Sequence, residues 1–104
     1  DFSNPTVLLT LFGVLIVCLG IMNFKGNISS IHWYNRRKVA KENEKQYGKY
    51  MGFGTIIVGS SLILNSILQM IFGLEIFYCI IVIGVVVGLS FILYSQIKYN
   101  KGIF

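Results

Sequence analysis

Few residues in this sequence could do chemistry, and their spacing limits what that chemistry can be. His32 is the sole histidine, so no histidine cluster is available to hold a metal. Cys18 and Cys79 are the only cysteines. If both sit in apolar helices, their depths differ by about 15 Å at about 1.5 Å rise per residue. A disulfide needs Cα atoms within about 7 Å, so they read as unpaired, small apolar residues. Glu42 and Glu44 lie among lysines in a polar stretch and read as a solvated, salt-bridged helix face. Nothing here makes a catalytic constellation, so no cofactor and no enzymatic activity are expected.

Two other groups are more informative. Ser61, Asn65 and Gln69 recur at i, i+4 and i+8, which places them on one face of a helix. An amide left unpaired in an apolar medium is costly, so that face should turn toward another helix. It could serve as an interhelical contact or as the polar lining of a pathway. The second group is Arg36-Arg37-Lys38, close behind Trp33 and Tyr34. Aromatic rings at headgroup depth and cations facing anionic lipid would suit a segment lying along a membrane surface.

The elements that must position these groups are set by three uncharged apolar runs, at residues 5–24, 50–72 and 76–97. About 20 residues of helix span a hydrocarbon core of about 30 Å. Of the 104 residues, 55% are hydrophobic and only 12% charged, against about 25% charged in a soluble domain. The expected fold class is all-α: one integral membrane domain over 1–104, with three transmembrane helices. A cytoplasmic interfacial, amphipathic segment over 25–49 would join the first two. Asn4-Pro5 suits a helix start, and Gly26-Asn27 should end the first helix. The first run lacks a small-x-small cleavage site and is expected to stay in place as a helix. The stretch from Ala40 to Tyr47 favours helix and should lead into the second span, with Gly48 as a bend. Gly73-Leu74-Glu75 leaves room only for a tight turn, so the second and third spans should form an antiparallel hairpin.

Charge orients the chain. Lys25, Arg36, Arg37, Lys38, Lys41, Lys45 and Lys49 lie between the first two spans, and Lys98 and Lys101 follow the third. None precedes the first span, and Glu75 is the only charge in the second connection. The positive-inside rule then places the long loop and the C-terminus in the cytoplasm and the N-terminus outside. Trp33, Tyr34, Tyr47, Tyr50, Tyr94 and Tyr99 would form the inner aromatic belt, and Phe72, Phe77 and Tyr78 the outer one. Gly84 and Gly88 form a GxxxG pattern in the third span, as do Gly48 and Gly52 at the start of the second. With Gly54 and Gly59, these allow close backbone approach within the chain or between copies.

Tyr34-Asn35, the segment Glu42 to Lys45, Tyr47, Lys49 and Met51-Gly52 resemble a family of small three-helix bacterial membrane proteins of unknown function. The loop and the glycines after it also look like the repeat of SdpI-type proteins, which confer immunity to a secreted toxin. That resemblance implies a noncatalytic bacterial membrane protein acting through helix–helix contacts, an immunity or accessory subunit of a toxin or membrane complex. Its expected partners are membrane lipids and either another membrane protein or further copies of itself, with no nucleic acid. The alternatives are a holin-like, pore-forming homo-oligomer and, behind it, a lipid-linked enzyme using His32, Glu42 and Glu44. The contact residues expected are Gly52, Gly59, Ser61, Asn65, Gln69, Gly84 and Gly88, with Trp33, Tyr34, Arg36, Arg37 and Lys38 at the lipid headgroups.

Overall fold

The computed structural model describes residues 5–29, 31, 36 and 38–101, which contain helices and no strand. Three long helices carry the fold: α1 (Pro5–Phe24), α2 (Glu44–Phe72) and α3 (Tyr78–Tyr99). Single 3₁₀ turns, Lys41–Asn43 and Glu75–Phe77, lead into α2 and α3. All three helices are long and apolar enough to cross a membrane. Asn4 lies outside the described residues.

Local chemistry explains where each helix stops. α1 closes in a Schellman motif: Asn27 N–H donates to the Met22 carbonyl (3.0 Å) and Gly26 N–H to that of Asn23 (2.9 Å). Gly26 takes φ +102°, a conformation that a side chain would strain. α2 ends at Gly73, which is left-handed (φ 67°) and donates its N–H to the Gln69 carbonyl at 2.8 Å. Extended Leu74 then reverses the chain, and the Phe72 and Phe77 rings, 5.7 Å apart, close the hairpin.

One feature differs from the sequence reading. α2 begins at Glu44 and runs unbroken through Gly48. Instead of marking a break, Gly48 presses against the Asn23 carbonyl of α1, where a Cβ would come within 2.5 Å of the oxygen. In the connection between α1 and α2, three of the described apolar residues pack on the bundle. Ile28 is buried, and Ile31 and Val39 pack with it on Tyr47 and Met51. The apolar side chains thus fold back onto the end of the bundle.

The helices α1 and α3 flank α2 on opposite faces and touch each other little. Large side chains mostly point away: Val82, Ile83 and Val86 on α3, and Ile76 in the turn before it, are each more than 60% exposed. The contacts between helices are made by small residues. On one face of α2, Gly59 meets Gly13 and Gly52 meets Gly20, an antiparallel pairing that steps seven residues along each helix. On the other face, Gly54 meets Gly88 and Ser61 meets Gly84. Packing of this kind suits a medium in which large apolar side chains gain nothing by hiding from their surroundings.

Candidate functional site

Small and polar residues concentrate on α2, which among the described helices has two covered faces. At about 100° per residue, Gly52, Gly59 and Ser66 share the face toward α1, while Gly54, Ser61 and Asn65 share the face toward α3. Gln69 lies between the two faces. The approach at each glycine is close enough to exclude a side chain. A Cβ at Gly59 would sit 2.8 Å from the Gly13 carbonyl oxygen, and one at Gly88 would sit 2.6 Å from that of Gly54. At Gly52 it would collide with the backbone of Gly20 and Phe24, and at Gly84 with the side chain of Ser61. The glycines expected to mediate contacts are therefore consumed within one chain.

The polar stripe behaves differently from an interhelical hydrogen-bond ladder. Ser61 is buried, but its hydroxyl donates back to the Val58 carbonyl of its own helix (2.7 Å). Asn65 is fully buried, and neither Oδ1 nor Nδ2 has a hydrogen-bond partner. The Oγ of fully buried Ser66 and the Nε2 of Gln69 are likewise unpaired. Each such group carries a desolvation penalty of about 1–3 kcal/mol. Gln69 is only partly buried and brings the stripe to the bundle surface. Ser66 continues the heptad of Gly52 and Gly59, a spacing that signals its burial. The sequence reading did not single it out.

At the opposite end, which carries the basic residues, most of the described polar groups find partners, although Nδ2 of fully buried Asn100 has none. The Tyr47 hydroxyl donates to Gln96 Oε1 (2.5 Å), and the Ser95 hydroxyl donates to the Tyr47 carbonyl (2.8 Å). The Lys38 N–H donates to Asn100 Oδ1 (2.9 Å), tying the long connection to the end of α3. Asn23 Nδ2 donates to the Asn27 carbonyl (2.9 Å). Sequence reasoning missed this latch, whose only signal is the polar pair Ser95-Gln96 interrupting the apolar third run.

Of the basic and aromatic group, Arg36 is half-exposed and its Nε donates to the Ile31 carbonyl (2.9 Å), while Lys38 is exposed. Trp33, Tyr34 and Arg37, with His32, lie outside the described residues. Cys18 and Cys79 are both free and exposed. An aromatic cluster lies in the groove between α2 and α3 near the basic end. Tyr50 packs edge-on against Tyr94 (5.1 Å between ring centroids) and stacks on Tyr99 (6.2 Å). The Lys98 ammonium donates to the Tyr94 hydroxyl (3.1 Å) and rests over the Tyr94 and Tyr99 rings.

No protein-family model, curated protein or solved structure matches this chain. The geometry therefore carries the functional argument.

Proposed function

We propose that the chain is a noncatalytic, multi-pass protein of a bacterial cytoplasmic membrane, with its N-terminus outside and its basic end in the cytoplasm. It acts as an immunity or accessory subunit that binds another membrane component through helix contact. The membrane placement is supported by the two aromatic clusters. Tyr50 lies within α2 and Phe72 at its end, and the helix between them runs about 33 Å at about 1.5 Å per residue, close to the thickness of a hydrocarbon core. Its orientation follows from the lysines and arginines, which gather at one end.

The observation that carries the partner reading is the set of unpaired polar atoms at the hairpin end, on Asn65, Ser66 and Gln69. Buried polar groups in folded proteins are nearly always hydrogen-bonded. A partner helix or peptide that supplies an acceptor to Gln69 Nε2, as that side chain turns outward, would repair part of this deficit. The same burial weighs against a holin-like pore. Ser61, Asn65 and Ser66 are taken up inside one chain, so they do not form a polar face with which copies could line a lumen.

The test is co-purification from native membranes at native expression, with the wild type and Gln69→Leu in parallel, beside a deletion strain challenged with toxin. Wild type should retain a protein partner that Gln69→Leu loses, and deletion should raise toxin sensitivity. Recovery of no partner, with unchanged sensitivity, would sink the proposal. Loss of membrane potential on induction would favour the pore instead.

A further inference from the structure

The groove between α2 and α3 at the basic end holds an open cavity of about 300 Å³, lined by Tyr50, Ser90, Phe91 and Tyr94. Its walls are almost wholly apolar, because the Ser90 hydroxyl is turned back to the Val86 carbonyl (2.7 Å) and offers little to a ligand. Phe53 and Phe91, 4.8 Å apart, continue the apolar surface toward the middle of the bundle. At the other end of the groove the chemistry changes. Lys98 is held by the Tyr94 hydroxyl and by the faces of two tyrosines. Because Lys98 donates to the Tyr94 oxygen, the Tyr94 O–H is left to donate outward. Lys101, exposed, follows one turn later.

A slot for hydrocarbon that opens onto a fixed ammonium and a phenol donor matches one kind of molecule. We infer that this groove is a binding site for a single anionic phospholipid of the inner leaflet. One acyl chain lies along Phe91 and Ser90, and the phosphate meets Lys98 and the Tyr94 hydroxyl. The occupant is fixed by charge complementarity: the apolar slot alone would accept any lipid, whereas Lys98 selects for a negative headgroup. Lys38, on the connection between the other two helices, reaches the end of α3 through its N–H bond to Asn100. The inference rests on the membrane reading above, with the basic end on the inner side.

The experiment uses the full chain, purified in mild detergent and titrated with phosphatidylglycerol or phosphatidylcholine of equal chain length, with bound lipids counted by native mass spectrometry. Wild type should bind one phosphatidylglycerol ahead of any phosphatidylcholine. Lys98→Gln should weaken that binding about fivefold, the effect of one cation near a membrane surface. Ser90→Phe, which fills the slot, should abolish the first binding event for both lipids. Lys25→Gln makes the same charge change at the end of α1, across α2 from the groove, and should leave binding as in wild type. Equal binding of the two lipids, or Lys98→Gln and Lys25→Gln behaving alike, overturns the site. Alkaline extraction of native membranes separates the two readings. A chain released by carbonate would defeat the membrane placement, whereas one retained but without lipid preference would defeat only the groove.

Discussion

The two ends of the bundle bury similar polar groups and pair them to different degrees. At the basic end, Tyr47, Ser95 and Gln96 are at most 5% exposed and are joined across α2 and α3 by hydrogen bonds. At the hairpin end, Asn65 and Ser66 are as deeply buried, yet Asn65 Oδ1 and Nδ2 and Ser66 Oγ are unpaired. Burial alone therefore does not make a polar residue stabilising; the geometry of the facing helix decides it. Opposite Tyr47, α3 presents Ser95 and Gln96, whereas α3 near the hairpin end is an apolar run with Cys79 its only heteroatom-bearing side chain between Tyr78 and Ser90. Among the described residues the basic end leaves one buried side-chain atom unpaired, Asn100 Nδ2, and the hairpin end leaves four.

The largest effect should come from breaking what both ends share, the backbone contact between α1 and α2. Gly52→Leu drives a side chain into Gly20 and Phe24 and should destabilise at or above the top of the usual overpacking range of about 1–3 kcal/mol. Unfolding in mixed micelles by a denaturing detergent would measure it, and an unchanged midpoint would refute the packing described. Next in size is Tyr47→Phe, which strips the donor from Gln96 and should destabilise by about 1–2 kcal/mol in the same titration. A variant as stable as wild type would mean that the latch contributes nothing. The smallest effect sharpens the contrast. Asn65→Leu removes two unpaired atoms and should leave the isolated chain within about 0.5 kcal/mol of wild type, or more stable. A loss as large as that of Tyr47→Phe would show that Asn65 is paired after all.

Much of the framework could be read from residue order. Three uncharged runs, Pro5 at a helix start, Gly26 behind the first helix and Gly73 behind the second are local signals, and the helices begin or end near each. The partners across interfaces were harder to read, because they depend on which faces meet. Gly52 and Gly59 stand seven apart, as do Gly13 and Gly20, but a one-dimensional pattern does not say that the two pairs oppose each other. Tyr47 and Gln96 are 49 positions apart, and no local rule links them. The stripe Ser61, Asn65, Gln69 was visible as a face, whereas its lack of partners depends on the composition of α3. The fold-back of Ile28, Ile31 and Val39 was hidden for a related reason: an apolar side chain in a basic loop suits a lipid surface and a protein surface equally well.

The unequal connections also imply an order of assembly. Residues 73–77 bring α2 and α3 together with very little chain to restrain, while residues 25–43 must close a much longer loop to bring α1 to the same helix. For flexible segments of these lengths the entropic difference is roughly 1 kcal/mol in favour of the hairpin. On loop closure alone, the α2–α3 pair is the one favoured to form first. On the same argument α1 resembles an internal ligand of α2, held at high effective concentration by its longer tether. A foreign helix carrying glycines at the spacing of Gly13 and Gly20 would compete for the same face of α2, with that tether as its main disadvantage.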